Sequence, residues 1–475
     1  PKLWSWGRVT VPSFFMILFE EDWNKFPSAI VHAETKNRSW LKLAAIYKKM
    51  GIKNNYFHLA LINPLLKDLD PHDPNLTTEQ CAMMRAECEL NPWYALREVI
   101  RIPAKGGGVE KGRWGEGADL EANRGNIAFY FMLFARVRTY LQQIRQTGKS
   151  LTTRVLVNIF HEFLSTPHSA TQHLLYTKSD MRKEEIMEYK NIRSLLPVWV
   201  HVPHPKDADN QIEFTTMARD VRTKSYVPAG DEAGANKVGR GCTPLLATSD
   251  EGPFCSYFHI SISSMLNSMN QTIPRALASG AFYGVAFTTT AGDTSTKEGM
   301  FVFSEIKNKS AKFNERMYDF KNRNELHKFI CTVTGQESPS VDITFNHLQL
   351  GYSNAWLRAA ISRVPSTKDQ IKRDQLNIWT QGGIENPINS NVLAKIKKSV
   401  KDPKIITPDN HPIMIRTYPS DKPLDERYIV AGVDLSNAID KDNITIVGVD
   451  VQTGDTAFAV TVNNYNLIRF AEFLM

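Results

Sequence analysis

The sequence predicts an α/β protein built on a mostly parallel sheet, and three short runs predict it. Each is a β-rich stretch that ends in residues able to do chemistry: Gly148-Lys149-Ser150, then Asp250-Glu251, then Thr288-Thr289-Thr290. Parallel α/β sheets hold ligands outside the carboxyl ends of their strands, so three such ends in chain order can converge on one ligand. Strand-like and helical patterns alternate around them, as crossover connections require.

The first run is short and apolar up to Ile144, and from Leu151 to Leu164 apolar residues recur at helical spacing. A turn between a strand and a helix points its backbone N–H groups and the helix N-terminus at phosphates. Arg145, Gln146, Thr147 and Gly148 then form a phosphate loop, Lys149 reaches the β- and γ-phosphates of ATP, and Ser150 ligates magnesium. The first glycine of G-x-x-x-x-G-K-[ST] falls on Gln143. The plainer alternative is an ordinary helix start in which Ser150 only caps.

The second run, Thr243 to Ser249, reads as a strand ending in two carboxylates. Phosphoryl transfer needs one acid in the magnesium shell and another to orient the attacking water, tasks that suit Asp250 and Glu251 respectively. A solvated acidic pair in a turn is the alternative. The third run, Gly280 to Phe287, has buried-strand composition, and hydroxyls at its end can sense the γ-phosphate. A β-rich loop would need no such role.

In this order the residues resemble the large terminase subunit of tailed double-stranded DNA phages. Arg145 to Ser150 is similar to that family's divergent Walker A, which commonly lacks the first glycine and carries an arginine. Gly239-Arg240-Gly241 resembles the lead into Walker B, and Thr288 to Thr290 with Gly292 its coupling motif. Gln349-Leu350-Gly351-Tyr352-Ser353 with Trp356, then Arg373 to Leu376, look like the return from ATPase core to nuclease. Asn91-Pro92-Trp93-Tyr94 resembles the segment ahead of the core, so the likeness runs from about Cys88 onward. It implies a P-loop ATPase core of the RecA-like, ASCE type, with a helical N-terminal and lid subdomain and the beginning of an RNase H-like nuclease. It also implies that Arg145 stabilises developing charge and that Arg124 or Asn126 reads adenine. The partners it implies are double-stranded DNA, a portal protein and a small terminase subunit, with a ring-forming homo-oligomer in the host cytoplasm.

The tail carries the second chemistry. Tyr428 to Val433 leads to Asp434, Ile444 to Val449 is a second β-rich run, and a Thr-Gly-Asp turn precedes Ala457 to Val462. This looks like the opening of an RNase H-like nuclease with Asp434 on divalent metal, magnesium or manganese, and Asp442 and Asp450 as helpers. Alternatively, Asp434 merely ends a strand at a solvated turn. The chain stops at Met475 in a helix predicted from Leu467, before later strands and acids. With no initiator methionine, this suggests a fragment, from which nuclease activity is expected to be absent.

At 475 residues the chain accommodates two to four domains or subdomains. The expected partition is a helical region at 1–120, the ATPase core at 121–305, a lid and linker at 306–422 and the incomplete nuclease at 423–475. Within it, strands are expected at His173 to Tyr176, Val198 to Val202, Gln211 to Phe214 and Ser225 to Val227. Helices are expected from Asn123, after Asp180 and over Lys307 to Phe329. The glycine-rich Lys105 to Gly117 reads as a connection, and Ser399 to Lys422 as a linker. A net charge of +7, from 57 basic and 50 acidic residues, is compatible with phosphate-backbone contacts and too small to demonstrate them. Five cysteines without a C-x-x-C pair imply neither zinc nor a disulfide framework and fit a reducing compartment. Phe14 to Phe19, much shorter than a membrane span, reads as a buried helix end. His161 and His259 read as core or surface residues.

Function is therefore expected to be ATP-driven translocation of DNA into a procapsid. The rivals are a DEAD-like helicase, which needs a second RecA-like core, and a P-loop scaffold without turnover.

Overall fold

The computed structural model describes residues 16–103, 117–166, 171–175, 179–205, 207, 212–228, 230–363, 365–381, 390–407, 413–434, 444–462 and 467–474. Lys105 to Glu116, Asp442 and Met475 fall outside them. Two compact units divide at Glu385 and Asn386.

In the first unit, residues ahead of the sheet include helices α1 (Arg38–Lys49) and α2 (Thr78–Leu90), with two short antiparallel strand pairs. Helix α3, Arg124–Phe134, begins at Asn123, whose side chain accepts from the N–H groups of Gly125 and Asn126. From Gly125 to Phe134 every residue of α3 is buried, as a helix apolar on all sides must be. Phe131 meets Phe57 and Tyr318 edge-on, with ring centroids 4.9 and 4.8 Å apart, and Trp93 meets Phe134 at 5.2 Å. One apolar cluster thus joins the N-terminal helices to the sheet. Met16 to Phe19 are buried as expected, just ahead of the short helix Glu20–Trp23 that begins at Phe19, with Asp22 accepting from the Leu18 and Phe19 N–H groups.

The central sheet uses β1 (Arg138–Gln142), β2 (Thr171–Leu175), β3 (Glu213–Thr216), β4 (Val221–Tyr226), β5 (Pro244–Asp250), β6 (Gly284–Thr289), β7 (Ala311–Lys312) and β8 (Ser340–Thr344). Their spatial order is β7-β8-β1-β6-β5-β2-β4-β3, parallel throughout except for the β3–β4 pair. One strand, β6, therefore separates the strand of the phosphate loop from the strand of the acidic pair. This is the α/β, additional-strand P-loop architecture that the sequence predicts. Helix α4 (Lys149–Ile159), continued by a π-turn to Leu164, follows β1, and α5 (Ser179–Ser194) follows β2.

Several expectations change. Val198 to Val202 is no strand: Pro197 and Pro203 flank it, each lacking a ladder donor, and Val198 and Val202 face solvent. Lys307 to Phe329 is not one helix, because Ala311–Lys312 adds a strand to the sheet edge, a 3-10 turn follows at Glu315–Asp319, and an α-helix forms only at Arg323–Thr334. The sheet thus runs on to Thr344, past the residue 305 boundary.

In the second unit, β9 (Lys404–Ile406), β10 (Ile415–Thr417), β11 (Ile429–Asp434), β12 (Ile444–Asp450) and β13 (Thr456–Val462) form an antiparallel sheet in the order β9-β10-β13-β12-β11. The expected linker of Ser399 to Lys422 so contributes two strands. Gly454, at φ 73°, turns the β12–β13 hairpin. A helix over Leu467–Leu474 supplies Phe470 to a small core with Ile413, Ile444, Ile446 and Val460.

Candidate active site

The loop between β1 and α4 turns through two left-handed residues, Gln146 (φ 63°) and Gly148 (φ 89°), the latter at the N-cap of α4. Glycine adopts that backbone without steric cost. The side chains of Arg145 and Gln146 face solvent, while the Thr147 hydroxyl turns inward to donate to the Ile144 carbonyl at 2.8 Å. Gln143 occupies the place of the missing glycine. Its buried side chain lies on α3 at Gly125, where an added Cβ would come within 1.8 Å of Gln143 Nε2. The need for glycine has moved from the loop to the helix it packs on.

Lys149 and Ser150 open α4 pointing at the ends of β5 and β6. Lys149 Nζ lies 2.7 Å from Glu251 Oε1, and Ser150 Oγ donates to Asp250 Oδ2 at 2.9 Å. Thr288 Oγ1 donates to the other Asp250 oxygen at 2.8 Å. Glu251 Oε2 accepts from Thr289 Oγ1 at 3.0 Å, and from the Thr290 N–H and Oγ1 at 3.2 Å each. The backbone at Glu251 is left-handed (φ 54°), an uncommon and costly state for a residue with a Cβ. That turn swings Glu251 out of the strand direction toward Lys149.

Burial sets the electrostatics. It pulls the Lys149 ammonium down, but Glu251 and Asp250 outweigh it, so its pKa ends above the ordinary lysine value. Burial pushes Glu251 up, and Lys149 with the threonine donors brings it net below the usual carboxylate range. Asp250 stays raised, because burial and the Glu251 charge exceed what Lys149, Thr288 and Ser150 return. A carboxylate so placed gains from a further cation.

The structure thus gathers Lys149, Ser150, Asp250, Glu251, Thr288, Thr289 and Thr290 at one point. It does not bring in the Arg145 side chain, whose guanidinium pairs with Asp374 at 3.2 Å. Arg124 is held by Glu315 and lies over the Phe345 ring, and the Asn126 side chain is spent on the helix cap and the Glu121 carbonyl. A cavity of about 360 Å³ at the start of α3 is lined by Lys42, Asn123, Arg124, Gln349 and Leu350. Another, of about 560 Å³, opens at the opposite strand ends beside Arg138 and Ser340, away from this chemistry. His161 is a core residue bonded to Thr216 and Thr223, and His259 lies near Glu298.

In the second unit Asp434 ends β11 and is exposed. Asp450 pairs with Ile429, whereas Asp434 pairs with Thr445. Five residues of strand, roughly 17 Å, therefore separate the two aspartates, and Asp450 does not share a metal with Asp434. Among the described residues no group of three or more His, Cys, Asp or Glu is close enough to hold a metal ion. Sequence reasoning missed Gln142, Asn377 and Trp379, which brace the loop across a chain separation of 235 residues or more, and no local signal marks them.

Fold and site together define a P-loop core of the additional-strand kind. No protein-family model and no curated protein matches the chain. Among solved structures, it is similar to the large terminase of bacteriophage HK97, with 12% identity, 72% of this chain and 63% of that one covered, and a TM-score of 0.39. It is also similar to the ATPase domain of the Thermus phage P74-26 large terminase (11%, 54% and 93%, TM-score 0.34). A third is the large terminase of a thermophilic bacteriophage in complex with ATP-gamma-S (9%, 74% and 72%, TM-score 0.29). The match spans less than two thirds of the HK97 protein's length.

Proposed function

We propose that this chain is the ATP-hydrolysing motor of a phage large terminase, which drives double-stranded DNA into a procapsid. The observation that carries the ATPase reading is the meeting of Lys149, Ser150, Asp250, Glu251 and the three threonines in one buried cluster, from three separate strand ends. The donor set fits a magnesium–triphosphate: an ammonium for phosphate oxygens, a hydroxyl and a carboxylate already within hydrogen-bond distance of each other for the metal, and a second carboxylate held ionised. Magnesium supplies charge neutralisation at the β- and γ-phosphates. Lys149 binds those oxygens, Ser150 and Asp250 hold the metal, and Glu251 orients water. Thr288, Thr289 and Thr290, already bonded to both acids, pass loss of the γ-phosphate along β6. Arg145 neutralises charge developing in the transition state, with Arg145 to Gly148 cradling the phosphates.

Asp434 is proposed as a divalent-metal ligand of an RNase H-like endonuclease, a reading that the β11-β12-β13 antiparallel meander supports. DNA, a portal protein, a small terminase subunit and a ring of like chains in the host cytoplasm complete the proposal. No helix among the described residues is long and apolar enough to cross a membrane. The DEAD-like alternative is disfavoured, because the described strands of the second unit form an antiparallel sheet where a second parallel core would be needed.

The test is steady-state ATP hydrolysis with magnesium. Glu251→Gln should lower kcat on the order of 10²- to 10⁴-fold while ATP still binds, and Lys149→Ala should weaken binding as well. Unaltered turnover in both variants would overturn the assignment of hydrolysis to this site, whereas ATP binding without turnover by the unaltered chain would leave only a nucleotide-binding scaffold.

A further inference from the structure

Residues Arg373 to Thr380 are stitched across the ends of two site-bearing strands. Gln142, the last residue of β1, donates from Nε2 to the Asn377 carbonyl (3.0 Å) and Oδ1 (2.9 Å), and its carbonyl accepts from Asn377 Nδ2 (3.1 Å). The Trp379 indole N–H donates to Gln142 Oε1 at 2.8 Å. Beyond β6, the Thr380 N–H donates to the Gly292 carbonyl and the Thr294 N–H to the Thr380 carbonyl, while Arg373 pairs with Asp293 at 3.5 Å. Gly292 is required for this seat, since a Cβ there would meet Trp379 at 2.7 Å and Pro253 at 2.6 Å. Between the two anchors sits the phosphate loop itself. The Arg145 N–H donates to the Asp374 carbonyl at 2.8 Å, and the Arg145 guanidinium pairs with the Asp374 carboxylate.

One guanidinium cannot serve both Asp374 and a phosphate. The Asp374 pair is partly exposed, with side chains 63% and 26% accessible, and such pairs are weak enough to exchange. A triphosphate offers more charge and a geometry that an arginine fork matches. We propose that Asp374 is a positioning residue that competes with bound triphosphate for Arg145, so that nucleotide binding removes one of the ties between the Arg373–Thr380 strap and the phosphate loop and loosens the strap there. The idea rests on the ATP-site reading above. A ligand shifts such an equilibrium only by its preference for one state, and here the preference lies in the partner of a single side chain.

The experiment compares the unaltered chain, Asp374→Asn, Asp374→Glu, Arg145→Ala and the Asp374→Asn/Arg145→Ala double variant. ATP-gamma-S with magnesium is the probe; affinity and amide hydrogen exchange over the strap are the readouts. Asparagine keeps the backbone bond to Arg145 and removes only the charge, so a merely structural role would bring no gain. Asp374→Asn should bind roughly two- to five-fold tighter, matching the strength of an exposed pair. The gain should vanish in the double variant, and Asp374→Glu should behave as the unaltered chain. Strap amides should exchange faster when the unaltered chain binds probe, and be fast already in Asp374→Asn. Equal or weaker binding by Asp374→Asn, or strap exchange that is constant or slower on binding, overturns the competition alone. Failure of the unaltered chain to bind the probe overturns the ATP site and the competition together.

Discussion

Gly125 leaves the space in which Gln143 lies, and that exchange of small for large explains how a phosphate loop can begin without its usual glycine. Gly125→Ala should drive the Gln143 amide out of its seat, since Leu350 closes the other side at 3.1 Å from the same Cβ position. Overpacking of this kind costs about 1–3 kcal/mol. ATP affinity and thermal stability should both fall, and Gly125→Ala/Gln143→Gly should recover much of each; a binding isotherm and a melting curve check it. At this scale the sequence was legible where chemistry and position coincide, as in Lys149, Ser150, Asp250 and Glu251. It was not legible for Gly125, whose importance lies in a partner distant along the chain. Nor did it foresee that the exposed Arg145 side chain turns to Asp374, because loop composition carries no direction.

Helix α3 shows what an element contributes. Its sequence lacks amphipathic spacing, and the structure buries it on all sides between the N-terminal helices and the sheet. Phe131 stands at the centre, touching Phe19, Phe57 and Tyr318. Phe131→Ala should cost roughly 3–5 kcal/mol in chemical denaturation, by lost burial and the cavity left. Because α3 also seats Gln143, the same change should weaken ATP binding, whereas a wholly separate N-terminal domain would lose stability without affecting the site. Strands with motifs at their ends were readable, since period and chemistry agree. β7 and β8 were not: a two-residue strand has no period, and β8 gains its identity only by pairing with β1.

Across the whole molecule, acid should find a weak point in the aromatic N-terminal core. Burial there pushes His58 down to about 3, with the Arg97 charge adding to the effect against the Trp40 carbonyl it bonds. The folded pKa lies below the unfolded value near 6.5, so this group's contribution is full above about pH 6.5 and is lost as pH falls toward 3. Between pH 6.5 and 4.5 the loss should be about 2 kcal/mol. Urea titrations at the two pH values check it, and His58→Gln should flatten the difference. The division into two units was only partly readable, because proline and lysine between Ser399 and Lys422 resemble a tether, yet two segments there pair into the second sheet.

The place of β8 beside β1 also bears on how the chain is made. Its pairing partner emerges roughly 200 residues after β1, about 10–40 s of synthesis at ordinary rates. Until then one flank of the strand leading into the phosphate loop has no neighbour, and an unpaired strand edge invites association with other chains. A newborn chain therefore carries an open strand edge throughout that interval, and the loop it leads into takes its final support only when β8 docks.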